Sequence, residues 1–260
     1  FNIGRKVVSD PHWVDTIDLY RSGNLASKPI LSSEALSLID SISPDDELRK
    51  ILEHRTQELI EYQNLSYAKE YMSFVGNIFE KEQKTRSSSE LSQNVAKYLF
   101  KLMATKDEYE VARLSLKAEL DSAINKEFGK SAKISYMLHP PFLKAMENIP
   151  ILNMLPGVKS KLALGSWFKV FYVMLKNMKF LRGTPFDFMA WFSNDVRKAD
   201  RKALNHYKSI LSNNIDEIGN GKYQDLKEFS ILPDIIRGYE EVRLETMDEF
   251  YLKSNNLFKS

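Results

Sequence analysis

The residue types most suggestive of chemistry lie in the run Lys97–Leu114, KYLFKLMATKDEYEVARL. Val95, Leu99, Leu102, Lys106, Tyr109 and Arg113 succeed one another at spacings of four and three. On a helix those spacings place all of them on one face. The face begins apolar and ends in two cations. Glu110, four residues beyond Lys106, is in position to pair with it. Burying a charge is costly unless it is paired and hydrogen-bonded. Lys106 and Arg113 are therefore expected at a core edge or in an interface. One reading is a docking surface or anion site built from Lys106, Tyr109 and Arg113. The other is an internal ion network with Asp107, Glu108 and Glu110, which is favoured because structural networks produce the same clusters.

Two shorter runs also draw notice. In Leu181–Asp187, LRGTPFD, the sequence suggests Thr184 as a helix cap and Asp187 as the acid at the third helical position. The backbone N–H groups of such a helix start can bind an anion, but Asp187 already fills that place. Arg182, Gly183 and Asp187 thus read as a corner between helices. In Ile236–Tyr239, Gly238 permits a left-handed turn, and Arg237 and Arg243 are expected to pair with acids on other helices.

The familiar site patterns are absent from the sequence. His12, His54, His139 and His206 form no i, i+4 pair and no HExxH motif. There is no phosphate loop, no dinucleotide fingerprint and no nucleophile elbow. Asp45/Asp46 and Glu240/Glu241 sit where solvated carboxylates at helix starts belong. The chain has no cysteine, which excludes disulfides, thiolate zinc sites and cysteine-held iron–sulfur clusters within it. Its 37 basic and 35 acidic residues leave a net charge of +2, without the basic surplus of a nucleic-acid binder. No run of eighteen apolar residues exists, so no transmembrane helix is expected. Phe1–Asp10 lacks the order of a signal peptide. The chain begins at Phe1 and reads as a piece of something longer.

The elements that must position these residues are mostly helices. Residues 1–44 read as an entry segment to the helical domain, loose over 1–31, where Pro11, Gly23 and Pro29 punctuate it. Ser43–Asp46 is expected to start a long helix running to about Lys81, with Ser43 as cap and Pro44 at the first helical position. Lys84–Glu90 is a polar loop. The next helix is expected from Glu90 to about Asn125, closed by Gly129. Lys133–Leu138 is the strand candidate, stopped by His139-Pro140-Pro141. Residues 141–160 look like loop. Trp167–Leu181 is apolar around most of its circumference, which favours a buried core helix over a membrane-surface helix. A helix from Thr184 to about Leu211 follows, then a turn-rich stretch through Gly221, then a last helix from about Pro233 towards Leu252, with Gly238 as a point of interruption. This is a mainly α class with at most a short strand or small sheet. Residues 45–260 form one helical domain, or two lobes hinged near residues 84–90.

The runs EYQNLSYAKEY, KYLFKLMATKDEYEVARL, KFLRGTPFDFMAW and LPDIIRGYEEVR occur in that order. Together they resemble the C-terminal domain of the fused indolepyruvate ferredoxin oxidoreductases, over about residues 45–250. Phe1–Asp10 is similar to the tail of the catalytic domain that precedes it there. The resemblance implies a cytoplasmic, homo-oligomeric parent enzyme that oxidatively decarboxylates 2-oxoacids. Such a parent uses thiamine diphosphate and iron–sulfur clusters, forms acyl-coenzyme A and reduces ferredoxin. It further implies that the cofactors sit in other domains and that this domain docks or stabilises them. No catalytic residue carries over. The family motif maps onto Lys106, Asp107, Glu108, Tyr109, Glu110 and Arg113, with Arg182, Gly183, Asp187, Arg237 and Gly238 beside it. The alternative is a free-standing helical module for a partner protein or for an anionic ligand such as coenzyme A.

Overall fold

The computed structural model describes residues 30–129, 135–138, 162–187, 189–190 and 194–258. The expectations for residues 1–29 and 141–160, and for His12 and His139, fall outside them. Helix α1 spans Ser33–Asp40 and is capped by the Ser32 hydroxyl, which accepts from the Ala35 N–H at 3.2 Å. Helix α2 spans Asp46–Tyr62. Its cap is Asp45, whose carboxylate accepts from Leu48 N–H at 2.9 Å, and not Ser43 as expected. Ser43 takes a left-handed φ of 46°, and its hydroxyl donates back to the Asp40 carbonyl. An acid at the cap also complements the helix dipole, which a serine does not.

The long helix expected up to Lys81 is two helices. Gln63 leaves helical geometry, and the Asn64 side chain caps α3, Leu65–Thr85, by accepting from Tyr67 N–H at 2.9 Å. The break lets α3 fold against α2, so that Leu48, Leu52 and Leu59 share a core with Ala68, Tyr71 and Val75. Helix α4, Glu90–Met103, then packs on both. The polar loop between α3 and α4 is tied by Glu82. Its buried carboxylate accepts from Leu91 N–H, Ser92 N–H, the Ser92 hydroxyl and the Tyr223 hydroxyl.

The helix expected over residues 90–125 is likewise divided, into α4, α5 (Glu108–Ser115) and α6 (Ala118–Phe128). Asp107 caps α5, accepting from Glu110 N–H at 2.9 Å. Gly129, at φ 82°, closes α6. Strands β1 (Tyr136–Leu138) and β2 (Leu162–Leu164) pair antiparallel, with Tyr136 opposite Leu164. A short 3-10 turn leads into α7, Lys169–Asn177, and another, Met178–Leu181, follows it. Helix α8 spans Asn194–Asn214.

Helix α9, Tyr223–Ile231, falls where no helix was expected. Its fully buried apolar residues are Leu226 and Phe229, with Tyr223 partly buried beside them, a short stretch for a periodic signal. The last helix, α10, spans Glu240–Leu257 and does not begin at Pro233, which sits in a 3-10 turn. Gly238 separates the two at φ 82°, where a Cβ would lie 2.7 Å from Val242 Cγ1.

The class is mainly α, as the sequence predicts. One large core joins α1–α4 to α8–α10 through residues such as Tyr71, Leu99, Tyr207, Phe229 and Phe250. A smaller core, built from Tyr109, Ala112, Phe168, Tyr172, Leu175 and Met189, seats α7 on α5.

Candidate functional site

Three chain corners and one helix converge beside the large core. The α2–α3 junction brings Tyr62, Gln63 and Tyr67. The α4–α5 turn brings Thr105 and Asp107, and the corner after α7 brings Arg182, Gly183 and Asp187. Helix α8 supplies Arg197, Asp200 and Arg201. These residues line a cavity of about 260 Å³. Three of the sequence runs that carry the family resemblance therefore meet at one place.

Arg182 ties the corners together. Its guanidinium grips Asp107 with two hydrogen bonds, 2.5 Å from Nε and 2.9 Å from Nη2. Nη1 donates to the Tyr62 carbonyl at 2.7 Å and to Gln63 Oε1 at 2.6 Å. The same group lies 3.8 Å from the Tyr62 ring centroid, a cation–π contact. Asp107 thus has two jobs: it caps α5 and it holds Arg182. Burial, helped by the Asp107 charge, pushes the Tyr62 hydroxyl up to about 12.

Asp187 is the second hub and is almost fully buried. It accepts from Tyr109 Oη at 2.9 Å, Gly183 N at 3.1 Å and Arg197 Nη1 at 2.9 Å. The helix start expected at Thr184 is not found: residues 184–186 form a turn, and Asp187 itself accepts from the Ala190 N–H at 3.3 Å, in the position of a cap, while also reaching back to Gly183 N–H. The Thr184 hydroxyl itself donates to the Leu181 carbonyl. Arg197 also pairs with Glu108. Burial holds the Glu108 carboxyl above the usual range despite Arg197.

Arg113 lies on the other side of α5, with its side chain 5% exposed. It donates to Glu110 at 2.8 Å from both Nε and Nη2, to Glu61 at 2.6 Å and to Glu58 at 2.5 Å. Burial by itself would lower the Arg113 guanidinium, and hydrogen bonds to Glu110 and Glu58 more than reverse that. Glu58 also takes Lys117 at 2.5 Å. The structure therefore does not bring Lys106, Tyr109 and Arg113 together. Lys106 is exposed in the turn before α5, Tyr109 is bonded to Asp187, and Arg113 is enclosed by three carboxylates. The expected Lys106–Glu110 pair is replaced by Arg113–Glu110, because the break at Asp107 takes Lys106 off the helix.

Arg237 stands apart from this region. It pairs with its own neighbour Asp234 at 2.5 Å on the surface, whereas Arg243 crosses to Asp200 on α8 at 2.6 Å. His206 bonds Ser254, and His54 lies on the surface of α2. Among the described residues no group of three or more His, Cys, Asp or Glu is arranged to hold a metal, and no helix is long and apolar enough to cross a membrane.

Sequence reasoning missed Glu58, Glu61, Arg197 and Arg201. Glu58 and Glu61 share a face of α2 at a spacing of three, which is a usable hint. Arg197 and Arg201 sit in the evenly charged run NDVRKADRK, where spacing singles out neither.

Fold and site together define a helical domain in which Asp107 with Arg182 and Asp187 with Arg197 pair around a small cavity. The chain belongs to a family of unknown function, DUF6537, whose pattern matches residues 48–255. No curated protein and no solved structure matches it.

Proposed function

We propose that the domain is a non-catalytic accessory part of a 2-oxoacid ferredoxin oxidoreductase, docked to its catalytic domains through α7. The observation that carries this reading is the outward face of that helix. Tyr172 and Leu175 are buried against α5, but Val170, Val173 and Met174 on α7 are exposed, as are Trp167 (67%) and Phe180 (67%) in the 3-10 turns on either side. The helix expected to be buried all round thus has a second apolar face that the described residues leave uncovered. Contiguous exposed apolar surface on a folded domain marks an interaction site. No Asp or Glu occurs between Glu147 and Asp187, and Lys176 borders the face. A partner with an apolar centre and an acidic rim is the complement.

The resemblance of the four runs supplies the identity of that partner. On this reading thiamine diphosphate and the iron–sulfur clusters belong to the neighbouring domains. Ferredoxin and coenzyme A are partners of the parent alone, and the parent is a cytoplasmic homo-oligomer. The first test is to sequence the coding DNA upstream of Phe1. A continuous reading frame bearing thiamine diphosphate and cysteine-cluster domains is the expected result. A start codon immediately before Phe1 would overturn the reading.

A further inference from the structure

We propose that the cavity between the α2–α3 junction, the α4–α5 turn and α8 binds a small apolar molecule bearing one carboxylate or phosphate, recognised by Arg201. The acids that line it are already matched. Asp107 is held by Arg182, Asp187 by Arg197, and Asp200 by Arg243. Arg201 lies on the same wall, is exposed, and makes no hydrogen bond or ion pair among the described residues. It is the charged donor left to meet a ligand. A guanidinium presents paired N–H groups that match a carboxylate or phosphate.

The rest of the wall is apolar in character. Leu102, Met103 and Leu204 line it with the rings of Tyr62 and Tyr67, which stack with centroids 6.0 Å apart. The Tyr67 hydroxyl is engaged by the Met103 carbonyl at 3.0 Å, so that ring adds surface without a free donor. A cavity of roughly 150 Å³ can hold a benzene ring, and this one has about 260 Å³. A single ring with a head group fits. Asp107, Asp187 and Asp200 within the same walls disfavour a ligand with several negative charges.

This inference is independent of the docking face on α7, and either can fail without the other. The test is titration of the full chain with phenylacetate, phenyl phosphate and inorganic phosphate, followed by amide NMR shifts. At least one ring-bearing probe is expected to saturate at one site, with shifts at Thr105, Gly183 and Leu204. The probe that binds more tightly identifies the head group. Arg201→Gln should weaken that binding tenfold or more with the melting temperature unchanged, because the side chain has no partner to lose. Lys198→Gln, an exposed cation on the same helix, should bind like the parent chain. Absence of saturation by both ring-bearing probes overturns the proposal. So does an Arg201→Gln affinity equal to that of the parent, or inorganic phosphate binding as tightly as the ring-bearing probes.

Discussion

Arg113, itself buried, holds three carboxylates from two helices, Glu58 and Glu110 largely buried and Glu61 43% exposed. Removing one partner of such a cluster leaves like charges uncompensated, which costs far more than a surface pair is worth. Arg113→Ala is therefore expected to lower unfolding stability by about 3–5 kcal/mol, and Lys106→Ala to change it by less than about 0.5 kcal/mol. Urea denaturation of both variants measures this, and equal midpoints would refute the network. The pH dependence follows from Glu58. Burial would raise its carboxyl, but hydrogen bonds from Lys117 and Arg113 outweigh that and hold it below the usual 4.5. Its folded value lies below its unfolded value, so its contribution is complete above the ordinary glutamate range. That contribution disappears as pH falls through the lowered value. Glu58→Gln should flatten the acid limb of a stability–pH curve below about pH 4.5. Glu108 and Asp200, raised by burial, act in the opposite direction there. The motif acids were legible as a network, because charges beside an apolar stripe need partners. Which acid meets which cation was not, since Glu58 and Glu61 are more than fifty positions from Arg113.

Helices end here where a side chain competes with the backbone. Asn64 and Asp107 interrupt apolar periodicities that read on unbroken through them. Each is an ordinary helix cap by residue type, and each divides a helix that spacing alone joined. The periodic signal survives because a short turn can leave the next helix facing the same core. Ser92, at the opposite end of the α3–α4 loop, shows the converse case. Glu82 on α3 serves as an acceptor for the first turn of α4, whose own cap residue Ser89 makes no capping bond. Glu82→Ala would leave two backbone N–H groups and the Ser92 and Tyr223 hydroxyls without their acceptor, at a cost of about 1–3 kcal/mol. Thermal unfolding of the variant tests this, and an unchanged melting temperature would mean that water replaces the carboxylate. The polar loop was visible from composition, although α3 runs on to Thr85 and leaves only residues 86–89 between the helices. The buried acid beside it was not, because glutamate in a helix is ordinarily a surface residue.

At the scale of the molecule, α7 is sandwiched between an internal face and an external one. The two faces predict opposite responses. Leu175→Ala should cost about 2–5 kcal/mol by opening the small core, whereas Val170→Asp should leave the chain within about 0.5 kcal/mol of its parent. Chemical denaturation separates the two, and a large loss for Val170→Asp would show that its face is covered within this chain. Composition and periodicity alone determined the helical class, the charge balance, a polar break between α3 and α4 and the presence of a charged motif in need of partners. Those properties depend on residue type and near neighbours, and both are written along the chain. Only the tertiary structure decided that Arg182 closes on Asp107, that Asp187 gathers Tyr109 and Arg197, and that Lys106 is left in solvent. It also decided which apolar face of α7 is buried. Those outcomes depend on where distant segments cross, and on side chains whose desolvation is offset only by the partner that the crossing supplies.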